Sequence, residues 1–415
     1  MTVVTAASDG SPKRLFEQSI TTVVGSPPVA ADPAALRQLV ETMVQEMLTR
    51  EFTQFLGAAP HERTADRRGV RNGTRPRSLV TRVGRLVLAV PRDRAGCFTP
   101  TVFARYQRHE QALLCTLTEC YLQGISTRKV RRVVETLCGE TVSASLVSAA
   151  TKRLDATLVA WRARRLDGQA MPYLIVDAHY ERIRREGQVL STAALWVVGV
   201  RADGYREHLG CWLGASESTA TWSRVFKDLT TRGLTGVRYV VSDEHLGLGA
   251  ALQRYCPEAV HQRCQVHYLR NAFATVSHPA RQQQLLAGLR DVWAAPTRAE
   301  AERRGLALAE GLRPTLPAVA EWLDTTLGDT LGFYVLPEAE ARRRLRTTNA
   351  LEREHEEVRR RTRVIRIFPS EASYLRLVAA LTMDRNDTWA KRRYVIPAPP
   401  VAIATSVKRT RRRAA

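Results

Sequence analysis

Tyr173-Leu174-Ile175-Val176-Asp177 is a short apolar run that stops at an acid, and Tyr239-Val240-Val241-Ser242-Asp243 repeats the pattern farther along. Unbroken apolar runs of this length mark strands buried on both faces. Between them, a turn is expected over 182–188, and residues 192–200 and 207–215 read as two more strands. Residues 218–232 carry Trp222, Val225, Phe226 and Leu229 at helical spacing and end at Gly233. Beyond the second run come a helix over 248–255, a short segment over 260–264 and a helix opening near Val266.

Three antiparallel strands, a helix, then a strand laid beside the first is the order of a ribonuclease H-like α/β core. Residues 277–340 interrupt it. They are rich in Ala, Leu and Arg, and Pro279, Pro296, Pro314 and Pro317 divide them, so an all-helical insertion is expected. The core resumes with a capped helix over 348–363 and another over 372–381. The fold class is therefore an α/β core interrupted by helices, preceded by helical and basic modules.

Working toward the N-terminus, residues 109–165 suggest three short helices. Gly124 separates the first two, Ser126-Thr127 caps the second, and Ser143 precedes the third. Arg128 and Lys129 lie on the outer face of the second, which suits a helix-turn-helix, although a plain bundle has the same apolar stripe. Residues 61–108 form a basic module in which the stretch 61–94 holds ten Arg against three acids. Arg71-Asn72-Gly73 reads as a turn and 86–91 as a short strand, with Arg71, Asn72, Arg75 and Arg77 as candidate phosphate contacts; a solvated charged loop is the competing reading. Within 1–60, a loose leader precedes an apolar helical stripe over 34–56 that fits a core or dimer helix. The parts are thus 1–60, 61–108, 109–165, 166–276, 277–340, 341–395 and a basic tail, 396–415, expected to be disordered.

The charge balance points the same way. Lys plus Arg number 63 and Asp plus Glu 41, a net +22 in 415 residues. So basic a chain calls for a polyanionic partner, with double-stranded DNA ahead of an anionic membrane. No apolar run of 18 residues or secretory leader is visible, and seven scattered Cys give no disulfide framework, so a reduced, cytoplasmic setting at the nucleoid is expected.

Asp177 and Asp243 each close a buried strand, and the carboxyl ends of strands are where α/β sheets build sites. If the strands are neighbours, the acids face each other, and a hard divalent cation stabilises such a pair. Either Asp alone could simply open a turn. A third ligand must come from after the insertion, where Glu352 and Glu356 lie one turn apart on one helix face. Asn349 with Glu352 also makes a capping box, so spacing leaves the choice open.

These residues sit in longer stretches. The segments RRGVRNGTRPRSLVTRVGRLVLAVPRDRAGCFTP (67–100), GISTRKV (124–130), VDAHYERIRREG (176–187), VVSDEHLGL (240–248), QRCQVHYLRN (262–271), LRTTNALE (345–352) and RIFPS (366–370) together resemble the bacterial Mutator-type insertion-sequence transposases. The resemblance spans 61–395. It implies a ribonuclease H-like domain with an Asp-Asp-Glu triad, here Asp177, Asp243 and, through Thr-Thr-Asn-x-x-Glu, Glu352. The chain departs from the pattern at His355, where many members have Asn, and at Arg366, where many have Gly; both changes are expected to bear on DNA-end recognition. Cys264 and His267 form a C-x-x-H element that is only half a zinc site. The family keeps a similar element after its second Asp, which implies a supporting role for Cys264 and His267, with Asn349 beside the third acid. Arg359, Arg360 and Arg361 are further candidate DNA contacts.

A triad of this kind implies two Mg²⁺ ions ~3.5–4 Å apart, with Mn²⁺ able to substitute, cutting 3′ ends and joining them to target DNA. The resemblance also implies a copy-out, paste-in route and a homodimer on paired ends. No Walker loop is present, so nucleotide hydrolysis is not expected. The competing readings are a domesticated DNA-binding regulator, which the intact triad disfavours, and a ribonuclease H-like nuclease or resolvase, which leaves the basic front end unexplained.

Overall fold

The computed structural model describes residues 33–101 and 108–396. The leader over 1–32 and the basic tail from 397 lie outside the described residues. The chain divides into two compact units, one of residues up to 121 with 126–151, the other of 122–125 with 152 onward.

In the first unit, α1 (Pro33–Leu56) lies along a hairpin of β1 (Arg71–Thr81) and β2 (Gly84–Asp93). Strict alternation in β2 sends Leu86, Leu88 and Val90 inward against Leu48 and Leu79. The Gln45 side chain extends the hairpin edge, donating to Ala89 O and accepting from Ala89 N, both at 2.9 Å. Leu36, Leu39, Met43 and Met47 line the outer face of α1 and are exposed. The turn expected at Arg71-Asn72-Gly73 is instead the irregular start of β1, where the register shifts and Gly73 takes φ +66°. The reversal comes at Arg82-Val83. Next come α2 (Gln111–Leu122), α3 (Thr127–Cys138) and α4 (Ala144–Lys152). Ser126 caps α3 by accepting from Lys129 N, and Gly139 closes it at φ +66°. The single third helix expected here breaks at Arg153-Leu154, and the second unit opens with α5 (Asp155–Arg162).

The second unit is built on a five-stranded mixed sheet in the order β5-β4-β3-β6-β7. Its strands are β3 (Tyr173–Arg185), β4 (Gln188–Val200), β5 (Arg206–Gly214), β6 (Tyr239–Ser242) and β7 (Val260–Arg263). The first three make an antiparallel meander, and β6 and β7 run parallel to β3. The expected turn over 182–188 shrinks to Glu186-Gly187, because β3 continues to Arg185. Both turn residues have positive φ, as a two-residue hairpin demands.

One sheet face packs on α6 (Thr219–Thr231) and α7 (Leu246–Tyr255), with Leu174, Val176 and Val240 meeting Trp222, Phe226 and Leu248. Gly247 lets these two helices touch backbone to backbone. A Cβ there would stand 2.6 Å from Thr219 N and 2.8 Å from Glu217 O. Gly247→Ala should therefore lower unfolding stability by ~1–3 kcal/mol, as overpacking does, read by denaturant melts; an unchanged midpoint would refute this account of the contact.

After α8 (Gln265–Ala274) the insertion contributes α9 (Pro279–Trp293), α10 (Arg298–Leu312), α11 (Pro317–Thr326) and a 3-10 stretch, Leu327–Val335. It covers the open edge of β7: Gln262 Nε2 donates to Thr330 O at 2.8 Å and Gln262 Oε1 accepts from Phe333 N at 2.7 Å. The chain returns through α12 (Ala339–Leu345), α13 (Asn349–Thr362) and α14 (Glu371–Trp389). These cover the second sheet face, where Tyr239 OH donates to Leu345 O at 2.9 Å and Tyr374 OH meets His179 Nε2 at 3.2 Å.

Candidate active site

Ile175 pairs with Val241 across the parallel β3–β6 ladder. Two residues on, Asp177 and Asp243 therefore stand level and, by the period of two, on the same face. Asp243 follows the last residue of β6 as expected. Asp177 does not end its strand but lies in the middle of β3, opposite Trp196 of β4. It is consequently almost closed off, at 8% exposure.

The third candidate reaches this face on α13. Glu352 Oε1 accepts from Arg270 Nη1 at 2.6 Å and lies 3.4 Å from His267 Nε2; His267 Nδ1 is 4.0 Å from Asp243 Oδ2. The imidazole thus bridges the second and third acids. The capping box expected from Asn349 and Glu352 does not form. Thr348 occupies the N-cap without a side-chain cap bond, because its hydroxyl turns to Cys264 Sγ at 3.4 Å and His267 Nδ1 at 3.5 Å. Asn349 Oδ1 is buried with no hydrogen-bond partner. Glu356 is exposed on the same helix.

The electrostatics follow from this packing. Burial pushes Asp177 up to about 7, with the charges of Glu352 and Asp243 adding to the rise and His267 opposing it. Burial alone would lower His267, yet its hydrogen bond to Cys264 and the charges of Cys264, Asp243 and Asp177 raise it to about 9. Cys264 in turn is held below the usual thiol range: burial pushes it up, and the His267 contact outweighs that. Cys264 and His267 thus act as one hydrogen-bonded pair with Thr348, behind the acids.

Among the described residues no three His, Cys, Asp or Glu side chains converge tightly enough to share one metal ion, since Glu352 is drawn to Arg270 and His267. The donor chemistry does fit a hard divalent cation: a carboxylate whose proton affinity is raised by burial, and further by two neighbouring carboxylates, is a site short of positive charge.

Several neighbours were not read from the sequence in these roles. His355, expected to bear on DNA-end recognition, is instead buried, with Nδ1 3.4 Å from Asp177 Oδ2. The His179 ring lies against it, tilted by 55° with centroids 4.4 Å apart. Both were within reach of periodicity, because His179 is two residues past Asp177 on a strand and His355 three past Glu352 on a helix. Arg366, at the other departure, has φ +61°, the left-handed region glycine occupies without strain.

Among the candidate DNA contacts, Asn72, Arg75, Arg128, Lys129 and Arg359 are exposed, and Arg77 is half-buried. Two Arg are engaged internally. Arg71 donates to Thr53 Oγ1 and Ala58 O and lies over the Phe52 ring. Arg361 is buried and donates to Leu122 O at 2.8 Å. Arg360 is exposed and pairs on the surface with Glu357.

A family profile described as "Transposase, Mutator family" matches residues 17–392. The chain is 44% identical over 368 residues to the transposase for insertion sequence element ISRM5 of Rhizobium meliloti (strain 1021), covering 88% of this chain and 91% of that one. It is 41% identical to the transposase for IS406 of Burkholderia multivorans, over 85% and 90% of the two chains. With the transposase for IS256 in transposon Tn4001 of Staphylococcus aureus it shares 38% identity, over 86% and 92%. A match across nearly the whole length of both chains leaves no doubt of descent: the protein belongs to the Mutator family of insertion-sequence transposases.

Proposed function

We propose that this transposase cuts 3′ ends of its element and joins them to target DNA at Asp177, Asp243 and Glu352, in a core of ribonuclease H-like type. The observation that carries this reading is the level placement of Asp177 and Asp243 on one sheet face, with α13 bringing Glu352 over it. These three carboxylates would hold two Mg²⁺ ions, or Mn²⁺ in their place. Bound there, the ions would supply an activated nucleophile, water or a 3′-hydroxyl, and stabilise the leaving oxygen. Cys264, His267 and Thr348 tie α8 to the start of α13, so they hold the third acid's helix against the sheet. His267 and Arg270 neutralise Glu352 and Asp243 until the acids are otherwise engaged. Asn349 supports the same turn. The test is to incubate the protein with Mg²⁺ and the DNA flanking its gene; nicked 3′ ends and joined strands are expected, and intact DNA under saturating binding would overturn the reading.

The exposed Asn72, Arg75, Arg128, Lys129 and Arg359 would grip duplex phosphates, with α3 in the role of a helix-turn-helix reader. A homodimer on paired ends belongs to this reading, with the exposed α1 stripe of Leu36, Leu39, Met43 and Met47 as the surface assigned to the second copy. With +22 net charge, non-specific DNA affinity should fall by ~10³ or more between 50 and 200 mM salt. A flat response in a salt titration would show the basic residues to be satisfied internally.

A further inference from the structure

His355 sits where an apolar residue would serve the fold better. It is 3% exposed, walled by the rings of His179 at 4.4 Å and Trp196 at 5.2 Å, and its Nε2 is buried with no hydrogen-bond partner. An orphaned buried polar atom costs stability that Leu or Phe would not. The other ring nitrogen has a specific neighbour. Nδ1 lies 3.4 Å from Asp177 Oδ2, long for a hydrogen bond and within a few tenths of an ångström of a good one. The charged and titratable groups around the imidazole are Asp177 and His179 of β3, with Glu352 and Arg359 on its own helix and His267 and His208 at longer range.

We propose that His355 is a positioning residue for the first acid, its Nδ1–H fixing the orientation of the Asp177 carboxylate. This rests on the assignment of Asp177 as a metal-holding acid. With the proton on Nδ1, it is the Nδ1–H that meets the carboxylate, and Nε2 is left as an acceptor without a donor. His355 also follows Glu352 by three residues, so the two share a helix face. One helix therefore delivers the third acid and the group that aims the first. If α13 shifts on the sheet, both change together. Ligand-orienting partners of this kind typically set metal affinity or activity by 10–100-fold.

The test uses the full chain with His355→Leu, His355→Asn and Asp177→Asn. Four measurements are made: thermal unfolding, binding to end DNA, Mn²⁺ affinity by calorimetry, and cleavage across a Mg²⁺ series. His355→Leu should unfold at or above the parent's temperature and bind DNA equally. Its Mn²⁺ affinity should fall by about tenfold and its cleavage by ~10–100-fold, with part of the cleavage recovered at high Mg²⁺. His355→Asn, which keeps a short N–H donor, should recover most of both. Unchanged Mn²⁺ affinity and cleavage in folded His355→Leu would overturn the proposal. So would losses in both variants that simply track a lowered unfolding temperature. Should the Leu variant not fold, His355→Asn decides alone, since a folded Asn variant as impaired as Asp177→Asn refutes the donor role. The parent reading fails separately: Asp177→Asn that still binds Mn²⁺ and cuts removes the metal site itself, whatever His355 does.

Discussion

Asp177→Asn and Asp243→Asn should each reduce cutting and joining by ~10²–10³-fold or more, the scale seen when one charge-handling group is lost from a reacting centre. End-DNA binding should stay within about twofold of the parent, because neither acid is a phosphate contact. Retention of more than a few per cent of activity by either variant would remove that acid from the triad. The two should differ in stability. Asp177 is buried, and its carboxyl is raised to about 7, above its unfolded value. A raised folded pKa contributes stability below the unfolded value that is lost as pH rises through about 7. Without metal, Asp177→Asn should therefore melt at or above the parent at pH 8, and the gap should close toward pH 4. A variant that melts lower at pH 8 would mean the charge is compensated in a way the burial does not indicate.

The second large effect separates two acids on one helix. Glu352→Gln should lose ~10²-fold or more in cleavage. It should remain folded, since the amide oxygen can still accept from Arg270 and no capping role is lost. Glu356→Gln should stay within about threefold, because Glu356 is exposed and Glu352 is the acid that reaches His267 and Arg270. Cleavage of paired oligonucleotide ends with both variants decides the matter. An active Glu352→Gln variant beside a dead Glu356→Gln variant would transfer the role and leave the two aspartates in place.

Periodicity carried the sheet far. The apolar runs before Asp177 and Asp243 are legible because both strands are buried on both faces, and the order of meander, helix and parallel strand follows from their spacing. Strand ends were harder. The β3–β4 hairpin extends past Ile183 with Phe368 bridging alongside it, and no local pattern announces a partner so far along the chain. The mostly polar stretch 182–188 therefore reads as a turn. The capping box at Asn349 failed for a similar reason: Thr348 is claimed by Cys264 and His267, a tertiary contact that overrides the local motif. Isolated Arg were read by composition, which cannot tell Arg75, exposed, from Arg361, whose guanidinium is spent on Leu122 O.

The helical segment over 279–335 separates Asp243 from Glu352 in the chain, and α12 returns to the sheet at Tyr239 just ahead of α13. Closing so long an excursion is slow even though its entropy grows only by ~0.6 kcal/mol per doubling of length. On a ribosome, the sheet and both aspartates emerge well before the helix that carries Glu352. Under the proposed function, a chain halted within the insertion would keep its basic N-terminal segments and two of the three proposed acids, and should bind element ends without cutting them. On that reading, premature termination in this gene would turn an enzyme into its own competitor.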